Sequence, residues 1–416
     1  MSMMKSSNTE WLGDIPAEWD VAQIGNYYEL RNEKVSDYDF EPLSVTMKGI
    51  VPQLATAAKS DDHSNRKLVK KGDFVINSRS DRRGSCGISP LDGSVSLINI
   101  VMEPRGEMNP QYYNWLFHTE RFADEFYKWG HGIVDDLWTT RWQEMKKILI
   151  VAPSPDEQQT IADYLDETCS KIDEIIAEAK ASIDEYKNLR EAVISNATTR
   201  GIKKNRSMKS SGVEWLPEIP ADWNVLSPKV VFTQRKDRAI KGERQLTASQ
   251  KHGILYQDDY MKEEGVRIVT VEKDFSILKH VEPDNFVISM RSFQGGLEYS
   301  YLRGCISSAY VMLIPNHKYV YSEYYKWFFK SDKYINALQS TSDLIRDGQA
   351  LRYANFVKLK LFDIPIEEQK EIADYLNKKV PKIDSLIAEK ESLINDLEAY
   401  KKSLIYEVVT GKRRVV

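Results

Sequence analysis

An internal duplication constrains the fold of this chain more than any other feature of its sequence. Residues 4–21 (MKSSNTEWLGDIPAEWDV) and 208–225 (MKSSGVEWLPEIPADWNV) are identical at 12 of 18 positions, 204 residues apart. A second pair, DEQQTIADYL at 156–165 and EEQKEIADYL at 367–376, lies 211 residues apart in the same order. Most positions between these anchors differ. We therefore expect two halves that share one folded frame and differ at their surfaces.

Each half opens with a module that mixes strand and helix patterns. Aromatic residues three and four apart predict one helix per module, at 110–129 and at 322–338, with the aromatic stripe packed in the core. Short β-branched runs predict strands, so each module is expected to be α+β and not an alternating βαβ chain. The predicted strands are 74–76, 95–102, 148–151, 266–271, 286–288, 309–314 and 357–361.

A long helical pattern follows each module. Apolar residues recur every three or four positions in 172–193 and in 383–408. We expect one helix over 171–198, about 40 Å long at about 1.5 Å per residue, and a second with Pro381 in its first turn. An amphipathic helix needs a partner for its apolar stripe, and the duplicate helix can supply one. The sequence thus predicts an antiparallel coiled coil with one module at each end, related by a pseudo-two-fold axis.

Composition limits the chemistry of the chain. It has neither a run of about 18 apolar residues nor an opening that resembles a signal peptide, so we expect a cytoplasmic protein that does not contact membranes. Cys86, Cys169 and Cys305 are too far apart in sequence for a zinc site and are expected to be free thiols. The sequence contains no phosphate-binding loop, dinucleotide fingerprint, hydrolase elbow or metalloprotease motif. We therefore expect no catalytic residues, no cofactor and no metal, and hence no enzyme.

One loop in each module has residues suited to DNA. RSDRRG at 79–84 and RSFQGG at 291–296 each follow a predicted strand. The first arginine is shared and would position the DNA, whereas the divergent residues after it would read bases, because Arg and Gln can pair with base edges. The alternative is an ordinary exposed loop. A second basic patch, at 235–244, would contact phosphates or be a solvated loop. Because the net charge is −4, DNA binding would depend on such local patches. The candidate DNA-binding residues are Arg79, Arg82, Arg83, Arg291 and Gln294.

The repeated anchors resemble those of a known family. The SGVEWLPEIPADW motif ends at Trp223, and its first copy ends at Trp19. The EQxxIADYL motif begins at Glu157 and again at Glu368. Both are similar to motifs of the specificity subunits of type I restriction–modification enzymes. The resemblance covers essentially the full length, and two such pairs in this order make a specific signal.

The resemblance implies two tandem target recognition domains separated by two helical regions that form the antiparallel coiled coil. The implied limits are 1–155 for the first target recognition domain, 156–204 for the central helical region, 205–366 for the second domain and 367–416 for the C-terminal helical region. Each domain would read one half of a bipartite site in double-stranded DNA, and the helices would set the gap between the half-sites.

The resemblance also implies partners. The helices would dock two methyltransferase (modification) subunits, and the full enzyme would add restriction (translocase–nuclease) subunits. S-adenosylmethionine and ATP would bind those subunits and not this chain. Two other interpretations stay open from the residues alone: a coiled-coil scaffold whose modules bind protein or RNA, and a nuclease with an unrecognised site.

Overall fold

The structure is a computed structural model that describes residues 3–56, 63–132, 138–268, 270, 275–289, 292–341 and 351–415. Its contacts divide the chain into two units. The first unit consists of Met1–Lys180 and Ser392–Val416, and the second consists of Ala181–Glu391. Both boundaries fall within long helices, so each unit combines a globular module with one part of each helix.

The first module is built from antiparallel strands and short helices. Its strands are β1 (Met4–Ser6), β2 (Asp14–Pro16), β3 (Asp20–Gln23), β4 (Tyr28–Leu30), β5 (Lys34–Val35), β6 (Leu43–Thr46), β7 (Gly49–Pro52), β8 (Arg66–Val69), β9 (Phe74–Asn77), β10 (Cys86–Ile88), β11 (Gly93–Ser96), β12 (Asn99–Pro104) and β13 (Leu149–Ala152). Its helices are α1 (Ile24–Tyr27), α2 (Pro110–Phe117), α3 (Glu120–Lys128) and α4 (Trp142–Met145). A four-stranded sheet has the order β10-β9-β12-β4, and a three-stranded sheet has the order β11-β8-β5. β3 pairs with β13, which brings the two ends of the module together.

The helix predicted over 110–129 is two helices, α2 and α3. The break lies at Thr119, whose hydroxyl donates to the Leu116 carbonyl (2.8 Å) and accepts from the Phe122 amide (3.2 Å). Such an N-cap satisfies one of the free amides of a new helix and so favours a restart of the chain. The aromatic stripe is buried as expected at Phe122 and Phe126, whereas Trp129 is partly exposed.

The second module has a similar composition of elements. Its strands are β14 (Met208–Ser210), β15 (Glu218–Pro220), β16 (Asn224–Leu226), β17 (Phe232–Arg235), β18 (Leu246–Ser249), β19 (Gly253–Tyr256), β20 (Lys279–Val281), β21 (Phe286–Ile288), β22 (Glu298–Tyr299), β23 (Gly304–Ile306), β24 (Val311–Pro315) and β25 (Leu361–Asp363). Its helices are α6 (Pro228–Val231), α7 (Gln257–Glu264), α8 (Ser292–Gly295), α9 (Ser322–Phe328), α10 (Asp332–Ser340) and α11 (Tyr353–Phe356). A four-stranded sheet has the order β17-β24-β21-β22, and β16 pairs with β25 as β3 does with β13.

Some predicted elements of the two modules are wrong. Residues 95–102 form two strands, β11 and β12, and the helix predicted over 322–338 is again two, α9 and α10. Residues 266–268 follow α7 without strand structure, and 269 and 271 lie outside the described residues. The strand predicted over 357–361 begins only at Leu361, because α11 occupies the preceding segment and the Asn355 side chain accepts from the Arg352 amide (3.0 Å) at its start.

The two long helices are α5 (Pro155–Arg200) and α12 (Ile366–Val409). Both begin earlier than predicted, because the EQxxIADYL motif is part of the helix: Ile161 and Leu165 are buried and extend the apolar stripe. Pro381 therefore lies inside α12 and not in its first turn. The mixed helix and strand fold with two long helices is confirmed.

Within each unit, parts of α5 and α12 run antiparallel. In the first unit Lys401 Nζ lies 2.6 Å from an Asp173 carboxylate oxygen, and in the second Arg190 Nε lies 2.7 Å from Asp384 Oδ1. The C-terminal end of one helix packs on the module. The Tyr112 hydroxyl donates to the carbonyl of Val409 (2.7 Å) in the first unit. The Tyr324 hydroxyl donates to the carbonyl of Thr198 (2.6 Å) in the second.

In each unit the repeated Trp motif contacts the repeated EQxxIADYL motif through a network of hydrogen bonds and an ion pair. In the second unit the Trp223 indole donates to Glu368 Oε2 (3.3 Å), and Arg206 donates to the same oxygen (2.9 Å). Glu368 is buried, and the Arg206 side chain is only 10% exposed. This network explains why the Trp motif and the EQxxIADYL motif are repeated together.

The first unit repeats the network nearer to solvent. The Trp19 indole donates to Glu157 Oε2 (2.9 Å), and Arg414 donates to Glu157 Oε1 (2.8 Å). The Glu157 and Arg414 side chains are 25% and 36% exposed. The same three residue types therefore occupy the same roles in the two units, at different burial.

The three cysteines are free, as predicted, and the structure shows that they are buried. Burial raises the pKa of the Cys86 thiol to about 12 and those of Cys169 and Cys305 to about 11. The thiols are thus protonated at neutral pH, which makes them poor nucleophiles.

Candidate nucleic-acid interface

The first candidate loop joins β9 to β10 at one end of the four-stranded sheet. Ser80–Arg82 forms a 3₁₀ turn, and the Ser80 amide donates to the Trp138 carbonyl (2.9 Å). Arg79 forms an isolated bridge with Thr139. The loop is therefore a fixed turn at the surface, attached to a distant segment of the chain.

Carboxylates of the same module partner the predicted arginines of this loop. Arg79 Nε lies 3.0 Å from Asp81 Oδ1, and Arg82 Nε lies 3.9 Å from Asp81 Oδ2. Arg83 is paired with Asp124, and its guanidinium lies 5.7 Å from the centre of the Tyr127 ring. Exposed ion pairs contribute little stability, so a phosphate or a base can replace the carboxylate. Arg82 is the most accessible of the three, with 68% of its side chain exposed.

The Tyr127 hydroxyl holds the backbone of this loop. It lies 3.1 Å from the carbonyl oxygen of Asn77, at the end of β9, and 3.3 Å from that of Arg82. Burial raises the pKa of Tyr127, so the hydroxyl stays protonated and can donate to either carbonyl. Tyr127 is thus a positioning residue for Arg82 and Arg83.

Tyr127→Phe is expected to increase the mobility of the loop 79–84 without creating a cavity in the core. The ring stays in place, and loss of one hydrogen bond should lower the free energy of unfolding by about 1 kcal/mol. Amides of residues 79–84 should exchange faster with D₂O, as measured by mass spectrometry. Tyr28→Phe is the control, because the buried Tyr28 hydroxyl has no hydrogen-bond partner among the described residues. Equal exchange in the two variants would contradict the role given to Tyr127.

The second candidate loop joins β21 to β22. Arg291 lies outside the described residues. Gln294 lies on α8, and its side chain is likewise outside what the structure describes. The site residues predicted in this module therefore stay predictions.

The described part of this loop is tightly held. Lys330 Nζ donates to the Gly295 carbonyl (2.8 Å) and to Glu298 Oε1 (2.5 Å). Burial raises the pKa of the Glu298 carboxyl, and the charge of Lys330 opposes this. Gly296 has φ +77°, and a Cβ there would overlap the Phe329 carbonyl, so only glycine fits.

The second basic patch is largely paired within its own module. Arg235 donates to Asn285 Oδ1 (2.8 Å) and Asp237 Oδ2 (2.7 Å). Arg244 lies 3.6 Å from the centre of the Tyr256 ring and donates to Asp258 (2.7 Å). A solvated loop does not describe this patch fully, because Arg235 and Arg244 form hydrogen bonds and a ring contact with other residues of the module.

The residues that the structure describes contain no group of three or more His, Cys, Asp or Glu side chains that could hold a metal ion. Among the same residues, no helix has the length and apolarity to cross a membrane.

Two further features near the candidate loops are not predicted by the sequence analysis. A β-hairpin, β6–β7 in the first module and β18–β19 in the second, reaches each loop. Asp124, which pairs with Arg83, lies on α3, far from the loop in sequence. The divergence of the hairpin turns between the two halves is the only sequence signal that could have indicated the first of these.

The whole chain is similar in sequence to proteins of one kind. No protein-family model matches the sequence. The putative type I restriction enzyme MjaX specificity subunit of Methanocaldococcus jannaschii is 21% identical over a 445-residue alignment, which covers 97% of this chain and 96% of that protein. The type I restriction enzyme MjaVIII specificity subunit of the same organism is 22% identical over 440 residues, with 96% and 94% covered.

Solved structures agree in fold. A chain from a type I R-M system, solved in work on complex assembly and conformational transition, has a TM-score of 0.71 at 12% identity, with 96% of this chain and 99% of that chain covered. The HsdS subunit from Thermoanaerobacter tengcongensis has a TM-score of 0.56 at 14% identity, with 96% and 98% covered. Over nearly its whole length, the chain is therefore homologous to type I restriction enzyme specificity subunits and has the fold of an HsdS subunit.

Proposed function

We propose that this chain selects the DNA sequence on which a type I restriction–modification enzyme acts, with each module reading one half of a bipartite site in double-stranded DNA. The observation that carries the proposal is the full-length similarity to specificity subunits. The duplication supports it, because two modules with one frame and divergent loops suit two different half-sites. The target recognition domains would correspond to residues 1–155 and 205–366.

The chain is non-catalytic in this proposal, as specificity subunits are. Methyl transfer and cleavage belong to two methyltransferase subunits and to restriction subunits that dock on this chain. The long helices offer a surface for such docking, because several of their apolar side chains are exposed on the isolated chain. These are Ile175, Leu189, Leu386 and Leu393. We also propose that helix length sets the gap between the half-sites.

Weak phosphate binding by the chain alone follows from its charge. The net charge is −4, and Asp81 and Asp124 already partner the arginines of the first candidate loop. Most of the affinity for DNA comes from phosphate contacts, so partner subunits would supply a large share of them. Base selection is left to this chain.

The test is co-expression with the cognate methyltransferase subunit, followed by sequencing of methylated bases in cellular DNA. We expect methylation at one gapped sequence with two conserved halves. The methyltransferase expressed alone is the control and should not methylate that sequence, and the purified chain with S-adenosylmethionine should transfer no methyl group.

Other outcomes would favour the other interpretations. Binding of the complex to DNA without any sequence preference would favour a scaffold whose modules bind protein or RNA. Cleavage of DNA by the purified chain with Mg²⁺ would favour a nuclease. Methyl transfer by the chain alone would contradict the non-catalytic role.

A further inference from the structure

A β-hairpin turn lies against the candidate loop in each module. In the first, β6 and β7 are joined by Met47 and Lys48, and Met47 Cε lies 3.9 Å from the position of a Cβ on Gly84. In the second, the turn between β18 and β19 starts at Gln250, whose side chain lies 3.0 Å from the position of a Cβ on Gly295. The same juxtaposition therefore occurs twice, in segments with little sequence in common.

Each hairpin is held by buried side chains at its base, while its turn is exposed. The strands of the two hairpins pack into small apolar clusters, and a Cβ on Gly87 would lie 2.9 Å from Gly49 Cα, so β7 lies directly against β10. Met47 is 72% exposed, although Met is usually buried. Only the turn can therefore vary without disturbing the core. The cluster residues on the hairpins are Leu43, Ile50, Leu246 and Ile254.

The two turns have chemistry suited to base edges. They read TMKG at 46–49 and SQKHG at 249–253. No described residue forms an ion pair with the Lys48 side chain, whereas Lys251 Nζ lies 3.3 Å from Glu264 Oε1. An apolar side chain can contact the methyl group of thymine, and Lys can donate to guanine O6 and N7.

We infer that the Met47–Lys48 turn and its counterpart at Gln250–His252 are base-contacting elements, each acting together with the neighbouring candidate loop on one half-site. This inference rests on the proposed function. It adds a second specificity determinant to each module, and it assigns the first turn to a thymine or guanine position in the major groove.

The test uses the full complex with the methyltransferase subunit and measures methylation across a library of targets. Met47→Ala and Lys48→Ala should each reduce discrimination at one base pair of the first half-site by roughly 5- to 150-fold. Lys251→Ala should affect only the second half-site. Because these side chains are exposed, the variants should keep the melting temperature of the wild type.

Lys71→Ala is the matched control. Lys71 is an exposed lysine in the turn before β9, whereas the loop 79–84 follows β9, so the two lie at opposite ends of that strand. This control should leave every base preference unchanged. If Lys48→Ala reduced methylation equally at all sequences, the turn would contact phosphates and the inference would be overturned. Unchanged discrimination in all three turn variants would also overturn it. Absence of sequence preference in the wild-type complex would instead overturn the proposed function.

Discussion

When residues 227–360 are replaced by residues 24–148 of the same chain, both half-sites of the target are expected to become the sequence that the first module reads. The cut points are chosen from the structure. β3 pairs with β13 in register Leu149↔Gln23, and β16 pairs with β25 in register Leu226↔Leu361. Paired residues on antiparallel strands lie about 5 Å apart. Either module can therefore be inserted between the same pair of strand ends without a change in the flanking strands and long helices.

The transferred module would also find its contact with the long helix. Tyr112 donates to a carbonyl at the end of α12, and Tyr324 donates to the equivalent carbonyl at the end of α5. In the hybrid, Tyr112 would take the place of Tyr324 beside Thr198. Trp223 precedes the replaced segment, so its network with Glu368 and Arg206 in the second unit is unchanged.

Sequencing of methylated DNA measures the result, with the cognate methyltransferase present. Each mismatched base pair typically costs about 1–3 kcal/mol, so loss of the original second half-site should be close to complete. The reciprocal hybrid, with 24–148 replaced by 227–360, is the control and should give two copies of the other half-site. A folded hybrid that still methylates the original target would exclude modular reading.

Glu368→Ala is expected to destabilise the second unit strongly. It leaves the guanidinium of Arg206, which is 10% exposed, without its buried carboxylate, and it leaves the buried Trp223 indole without an acceptor. Removal of one partner of a buried ion pair typically costs about 3–5 kcal/mol. Asp222 still partners Arg206 at 2.6 Å but is exposed, so it offsets only part of this loss. Urea unfolding of the purified chain measures the change in the free energy of unfolding.

The first unit supplies the matched control for this substitution. Glu157→Ala removes the equivalent carboxylate, but Glu157 and Arg414 are partly exposed, so water can solvate the remaining charge. We expect a clearly smaller loss of stability. Glu368→Gln separates the two effects, because the amide oxygen can still accept from Trp223 while the charge is lost. Equal losses in Glu157→Ala and Glu368→Ala would show that burial does not set the cost.

The sequence alone determined the features that depend on local pattern. The duplication is visible directly in the sequence, and short β-branched runs predict the buried strands around residues 74–76 and 286–288. The two apolar-striped helices are predicted because periodicity records which face of a helix is buried. The free cysteines are predicted from the wide separation of Cys86, Cys169 and Cys305 in the sequence. The predicted start of α5 at residue 171 is too late, because the buried Ile161 and Leu165 continue the apolar stripe towards Pro155.

Only the tertiary structure decided which distant groups meet. The predicted arginines of the first loop are partnered by Asp81 and Asp124, the turn at Met47 reaches Gly84, and Pro381 is accommodated inside α12. The Arg83–Asp124 ion pair and the Met47–Gly84 contact bring together residues that lie tens of positions apart, which local periodicity does not encode. The same holds for the contacts of the helix ends, Val409 with Tyr112 and Thr198 with Tyr324. The apolar stripes of α5 and α12 are alike. Which helix end contacts which module is therefore decided by the specific packing and hydrogen bonds within each folded unit.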